Sequence, residues 1–238
     1  LRQNGSVSCW GINTSGELGN SSTTLRSTVP VPVTNLTDAT QIDVGILHAC
    51  AVRQTGAVVC WGDGGSYRLG NASLLDRSSP TQVIQLTDAT QVTAAWEHTC
   101  ALRQNGEVVC WGDGGDYRLG DGSLADNAIP GPVSSLSDVV QVSAGDYHTC
   151  AVTSSGNVYC WGRGAEYRLG NGSTNDGGQP QLVSNLTDAT SVASGRSHSC
   201  AIRQTGDVSC WGEGTDYRMG NNSTASNQTP ANVPNLAD

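Results

Sequence analysis

Residues His98–Gly120 read HTCALRQNGEVVCWGDGGDYRLG, and the same phrase returns in register 50 residues before and after. The copies are HACAVRQTGAVVCWGDGGSYRLG from His48, HTCAVTSSGNVYCWGRGAEYRLG from His148 and HSCAIRQTGDVSCWGEGTDYRMG from His198. A shortened first copy opens at Leu1 with LRQNGSVSCWG. A period of this length marks stacked supersecondary units, none of which buries both of its faces alone.

The second copy parses into four short strands near Thr40–Val44, His48–Arg53, Ala57–Trp61 and Thr81–Gln85, with a polar loop from Gly70 closed by Pro80. The first three are β-branched and apolar, as buried strands are, and nothing reads as a helix. A single sheet of this kind needs a neighbour on each face, and closing the row into a ring hides the terminal faces. The expected fold is therefore all-β, a β-propeller of five four-stranded blades in one domain over 1–238. Its repeats run approximately 1–38, 39–88, 89–138, 139–188 and 189–238, with the first blade incomplete.

Eight of the nine cysteines form four pairs at one spacing: Cys50 with Cys60, Cys100 with Cys110, Cys150 with Cys160 and Cys200 with Cys210. A hairpin signal lies inside each pair. A three-residue loop centred on Thr55 sets Val52 against Val58 and Cys50 against Cys60, which favours a disulfide across neighbouring strands. A two-residue turn at Thr55-Gly56 would instead set Cys50 against Trp61. Reduced core cysteines and a zinc site with His48, His98, His148 and His198 are the alternatives; the histidines are otherwise expected to tie strands together within each blade. Four disulfides belong to an oxidising compartment, so the expected location is secreted or cell-surface. Asn-x-Ser/Thr sequons such as Asn71 and Asn171 permit, without requiring, a glycoprotein.

The phrases His-x-Cys-Ala, Gly-x-Val-x-Cys-Trp-Gly and Leu-Gly-Asn together resemble the repeat of the regulator of chromosome condensation family, over nearly the whole chain. That resemblance implies propeller blades. Members of the family range from exchange factors for small GTPases to inhibitors and secreted binding proteins, so fold is implied more firmly than function. The cysteine pairs, the absence of Lys, and Tyr-Arg where the family often has Gly-Gln before Leu-Gly set this chain apart from the nuclear exchange factor.

Twelve Arg face 21 carboxylates for a net charge of −9, which argues against nucleic acid as a partner. No stretch is long and apolar enough for membrane insertion. The first copy lacks the residues that would align with 39–51, and the last copy does not supply them, so Cys9 is the odd cysteine, unpaired or intermolecular. A longer chain, a five-bladed ring with an incomplete blade, and closure by another subunit all remain open. The last would make the first blade a route to self-assembly, a fibre or an adhesin.

Tyr67-Arg68, Tyr117-Arg118, Tyr167-Arg168 and Tyr217-Arg218 recur at identical positions. An aromatic ring beside a guanidinium suits a sugar or an acidic group, and repetition would add avidity, as in a lectin-like module. The alternative has each Tyr packed between blades and each Arg paired with an acid such as Asp63 or Asp113. Trp96 occurs once and is a candidate for partner contact. Trp10, Trp61, Trp111, Trp161 and Trp211 read as blade core. No nucleophile elbow, metalloprotease motif or phosphate loop is present, no cofactor is implied, and calcium at every repeat is excluded because the position of Asp113 holds Arg163 and Ile12 in other copies. The expected function is a non-catalytic extracellular binding module, its ligand a carbohydrate or a protein surface, with an exchange-factor-like intracellular scaffold as the weaker reading.

Overall fold

A computed structural model describes residues 1–236. Alternating apolar strands and Gly-rich turns build four antiparallel four-stranded sheets and one two-stranded sheet, the blades of a β-propeller. The two-stranded sheet holds β1 (Ser8–Ile12) and β2 (Arg26–Pro32). The second holds β3 (Ala39–Val44), β4 (His48–Arg53), β5 (Val58–Gly62) and β6 (Arg77–Gln82), in sequence order. The third holds β7 (Ala89–Ala94), β8 (His98–Arg103), β9 (Val108–Gly112) and β10 (Asn127–Pro132). The fourth holds β11 (Val139–Ala144), β12 (His148–Thr153), β13 (Val158–Gly162) and β14 (Gly177–Leu182). The last holds β15 (Ala189–Ser194), β16 (His198–Arg203), β17 (Val208–Gly212) and β18 (Asn227–Asn232). No helix among the described residues is long and apolar enough to cross a membrane.

The hairpin takes the register with Cys50 opposite Cys60 and Val52 opposite Val58, and the arrangement repeats with Cys150 opposite Cys160 and Cys200 opposite Cys210. All four pairs are disulfide-bonded, with Cα atoms 4.1 Å apart: Cys50 to Cys60, Cys100 to Cys110, Cys150 to Cys160 and Cys200 to Cys210. Sulfurs bonded to each other are neither zinc ligands nor free core thiols, so both alternatives fall. Their place is the blade interior and not a ligand-facing surface. Cys110 and Cys210, on the third strands of their sheets, are buried, and so are Cys60 and Cys160 at the same position. The outer strand differs from the expected Thr81–Gln85: β6 begins four residues earlier and contains Pro80. Only β5 flanks it, so the missing proline N–H costs no ladder bond.

The chain packs as two compact units. The first comprises 1–104, 109–113 and 125–131, and the second 105–108, 114–124 and 132 onward. Within the first, Cys50, Val52, Val58, Cys60, Leu69, Val83, Leu86 and Trp111 share one buried cluster. Within the second, Cys150, Val152, Val158, Cys160, Leu169, Leu186 and Trp211 are their counterparts. The indole of one repeat enters the core of the preceding one, where its Nε1 donates to a backbone carbonyl: Trp61 to Glu17, Trp111 to Arg68, Trp161 to Arg118 and Trp211 to Arg168, at 2.9–3.0 Å. These four indoles are fully buried, whereas Trp10 is 65% exposed. No repeat precedes Trp10 among the described residues, so the core expectation fails there. His48 and His148 also reach across repeats: His48 Nε2 bonds Thr99 Oγ1 at 2.8 Å and His148 Nε2 bonds Ser199 Oγ at 2.7 Å.

Candidate functional site: an arginine pocket around Tyr147

Each complete repeat leaves its third strand through Gly-x-Gly into a tight turn, residues 65–67 in the second repeat and 165–167 in the fourth. The two central residues are left-handed: Ser66 and Tyr67 at φ 52° and 58°, Glu166 and Tyr167 at 59° and 59°. Two consecutive left-handed residues define a type I′ turn, which normally asks for Asn or Gly. Here the turn throws the Arg that follows inward.

In the first unit Arg68 is buried, and its Nε donates to Gly65 O at 2.8 Å and its Nη1 to Trp96 O at 3.1 Å. Two carboxylates flank it, Asp63 at 3.7 Å and Glu97 at 3.8 Å. Arg168 keeps both backbone bonds, to Ala165 O at 2.7 Å and Arg196 O at 3.4 Å, and is equally buried. Its flanks are different. The place of Asp63 is taken by Arg163 and that of Glu97 by Ser197, while Arg196 stands where Trp96 does. Among the described residues no carboxylate lies within 4 Å of Arg163, Arg168 or Arg196, and Nη2 of Arg168 donates no hydrogen bond.

These cations gather on one ring. The guanidinium carbons of Arg163, Arg168 and Arg118 lie 5.4, 5.6 and 5.7 Å from the ring centre of Tyr147, within cation–π range. Arg163, Arg168, Arg196 and Arg218 share with Tyr147 a cavity of about 320 Å³, whose lining also includes Glu166, Ser197 and Glu213. Arg218 is already engaged, by Glu213 at 2.7 Å and Asp216 at 2.9 Å. Thr215 donates to Glu213 at 2.8 Å, and that bond, with Arg218 and Ser197, holds the Glu213 carboxyl below its ordinary range. Burial and then the neighbouring Arg163 push the Arg168 guanidinium below its usual value. Asp146 is raised by burial, against the pull of Arg196, Arg118 and Arg168. An unpaired guanidinium beside another cation, partly withdrawn from water, is stabilised by an incoming anion.

The Tyr-Arg positions are thus placed as follows. Arg68, Arg118 and Arg168 are buried under the next repeat, and Arg118 is also paired with Asp116 at 3.2 Å. Tyr67, Tyr117 and Tyr167 are half-buried; a side chain at Gly178 would lie 3.4 Å from the Tyr117 ring, so that ring rests on β14. Tyr217 is 61% exposed, and Arg218 lies at the cavity. Trp96 is half-buried. Cys9 is free and half-buried, and burial raises its thiol above the ordinary value. It lies beside a separate cavity of about 800 Å³ in the first unit, lined by apolar residues that include Trp10, Ile12, Val44 and Ile46. Sequence reasoning missed Arg163, Arg196 and Tyr147. The signal was a charge comparison between repeats: acid, Arg, acid at 63, 68 and 97 becomes Arg, Arg, Ser at 163, 168 and 197.

The same architecture is found in solved propellers. Human WBSCR16 superposes with a TM-score of 0.86 at 20% identity, over 97% of this chain and 63% of that one. Yeast RCC1 (Prp20) bound to Kap60 gives 0.85 at 23%, over 98% and 57%. A second structure of Prp20p from Saccharomyces cerevisiae, described with its binding to Gsp1p and histones, gives 0.86 at 23%, over 98% and 60%. The chain thus spans about three fifths of the length of these proteins, and at such identities the likeness is one of fold. A search of curated protein sequences finds no match. The sequence profile of the RCC1-like domain matches residues 1–238, the full extent of the repeats described above, and the chain belongs to the RCC1-like domain family.

Proposed function

We propose that this chain is an extracellular, non-catalytic binding propeller that takes acidic side chains of a protein partner into the pocket around Tyr147. The observation that carries the reading is the set of three guanidiniums with no carboxylate within 4 Å among the described residues, Arg163, Arg168 and Arg196, beside one cavity in a chain of net charge −9. Arg forks match carboxylates in two-point hydrogen bonds, and Arg is enriched where interfaces concentrate their energy. A cavity of about 320 Å³ suits one or two side chains better than an oligosaccharide. Guanidiniums already cluster on the Tyr147 ring, which leaves a sugar little of the open face it stacks on, so protein is favoured over carbohydrate. The four disulfides support the extracellular location. Yeast Prp20 is described with protein partners, Kap60, Gsp1p and histones, which agrees with a protein ligand in kind although not in identity.

Calorimetry with an acetylated Glu-Glu-Glu peptide tests this. Affinity is expected to fall about tenfold for each of Arg163→Ala and Arg196→Ala, and to weaken as salt is raised from 50 to 500 mM. Equal affinity in the double variant would refute the site.

A second reading rests on the first blade. β1 is the counterpart of β5, and Cys9 holds the position of Cys60, whose partner Cys50 lies on β4. A strand supplied from elsewhere, with a cysteine in that register, would cover Trp10 and Ile12 and bond Cys9, giving a disulfide-linked assembly. Ready alkylation of Cys9 in protein taken from its source would exclude it.

A further inference from the structure

Three repeats carry the same internal ion pair. Arg53 Nε donates to both oxygens of Asp38 at 2.9 and 3.1 Å, Arg103 to Asp88 at 3.1 and 3.2 Å, and Arg203 to Asp188 at 2.9 and 3.2 Å. The fourth repeat keeps the acid, Asp138, but has Thr153 in place of the Arg. Two backbone bonds of the frame are kept, although Asp138 itself is left-handed at φ 57°, unlike Asp38, Asp88 and Asp188. Ser154 N donates to Asp138 O at 2.8 Å as Gln54 does to Asp38, and Val139 N to Gly106 O at 3.1 Å as Ala39 does to Gly5. Thr153 turns its hydroxyl to Ser155 Oγ at 2.9 Å and Asn157 O at 3.2 Å, away from the acid.

Asp138 is exposed, with a hydrogen bond from Ser137 Oγ at 3.2 Å, and among the described residues no cation lies within 4 Å of it. Beside Asp138 and Thr153 lies a polar cavity of about 240 Å³, lined also by Ser137, Ser154, Ser155 and Tyr159. Tyr159 is also peculiar to this repeat, standing where the others have Val59, Val109 and Ser209.

We propose that this vacated slot receives an arginine side chain from a protein partner. The three sister repeats show the partner that an Asp at this position takes: a guanidinium bonded by Nε to both oxygens of the acid. The fourth adds an aromatic ring on which a planar guanidinium can stack, which a lysine ammonium does less well. The slot does not depend on the pocket at Tyr147, since the two differ in charge and share no residue.

The test is an NMR titration of the full chain with N-acetylarginine methylamide and, in parallel, its lysine analogue. The expected result is saturable shifts of the Thr153, Ser154 and Asp138 amides, with the arginine probe bound more tightly. Asp138→Asn should weaken binding about 2- to 5-fold and Tyr159→Val by a similar factor. Thr153→Arg should abolish the shifts by filling the slot from within; should that variant not fold, Asp138→Asn decides alone. Absence of saturable shifts at these amides, equal affinity for the lysine probe, or undiminished binding to Asp138→Asn would overturn the proposal.

Discussion

Replacing Cys150 and Cys160 together by Ala removes one disulfide whose effect on stability can be worked from the structure. The bond closes a loop across a sequence separation of 10, and in the chain-entropy account such a loop contributes about 2.7 kcal/mol at 25 °C. Both residues are fully buried in the cluster with Val152, Val158 and Leu169, so deleting two sulfurs also leaves a void, at about 1 kcal/mol each. The double variant should therefore lose about 4–5 kcal/mol, a large part of the stability of a typical domain. Guanidinium chloride unfolding, followed by tryptophan fluorescence, measures this as a lower midpoint at nearly constant slope. Full reduction of the wild type keeps the sulfur volume but opens all four bonds, and should lose about four loop contributions, roughly 11 kcal/mol. A double variant within about 1 kcal/mol of wild type would refute the reasoning, because the strands would then hold register without the bond.

Acid should destabilise the fold through its histidines. Burial, aided by Arg68 beside His48 and Arg168 beside His148, lowers both imidazoles from 6.5 to about 3. The folded chain keeps them neutral while the unfolded chain binds protons below about pH 6.5, so stability is complete above that pH and declines toward pH 3. The slope is up to about 1.4 kcal/mol per pH unit for each histidine, and His148→Gln should lower it by that amount in denaturation series at pH 7 to 4. Two glycines separate strain from crowding. Gly120 and Gly122 both have positive φ, 71° and 84°, but a Cβ on Gly120 would sit 2.7 Å from Trp161 Nε1, whereas on Gly122 it meets nothing closer than 3.7 Å. Gly122→Ala should cost about 1 kcal/mol and Gly120→Ala about 3 kcal/mol or more by thermal unfolding. Equal costs would show that the indole yields.

The fold was legible in the sequence because the repeat tests each reading four times over: one cysteine pair suggests little, but four at one spacing demand one register. Pro80 misled the placement of the outer strand, since proline reads as a loop unless the strand is known to lie at an edge. Trp10 misled through the same regularity, for its motif is intact while the neighbour that would bury it is absent among the described residues. The arginine pocket was harder to see. Repetition draws the eye to Tyr-Arg, and Arg68, Arg118 and Arg168 do bond the backbone of the next repeat, but the pocket that includes Arg168 and Arg218 arises where the fourth and fifth repeats depart from the pattern, at Arg163, Arg196 and Ser197. The same holds for Thr153, visible as an exception only once Arg53, Arg103 and Arg203 are seen pairing with their acids.

The most direct test of the central claim follows the guanidinium Nε–H resonances of Arg163, Arg168 and Arg196 by NMR as an acidic peptide is added. Saturating shifts of all three with one dissociation constant, and none at Arg53 or Arg203, whose carboxylates are internal, are the predicted result. Shifts that rise linearly without saturation, or that affect every arginine alike, would contradict a built acidic-ligand site and leave only the general attraction between opposite charges.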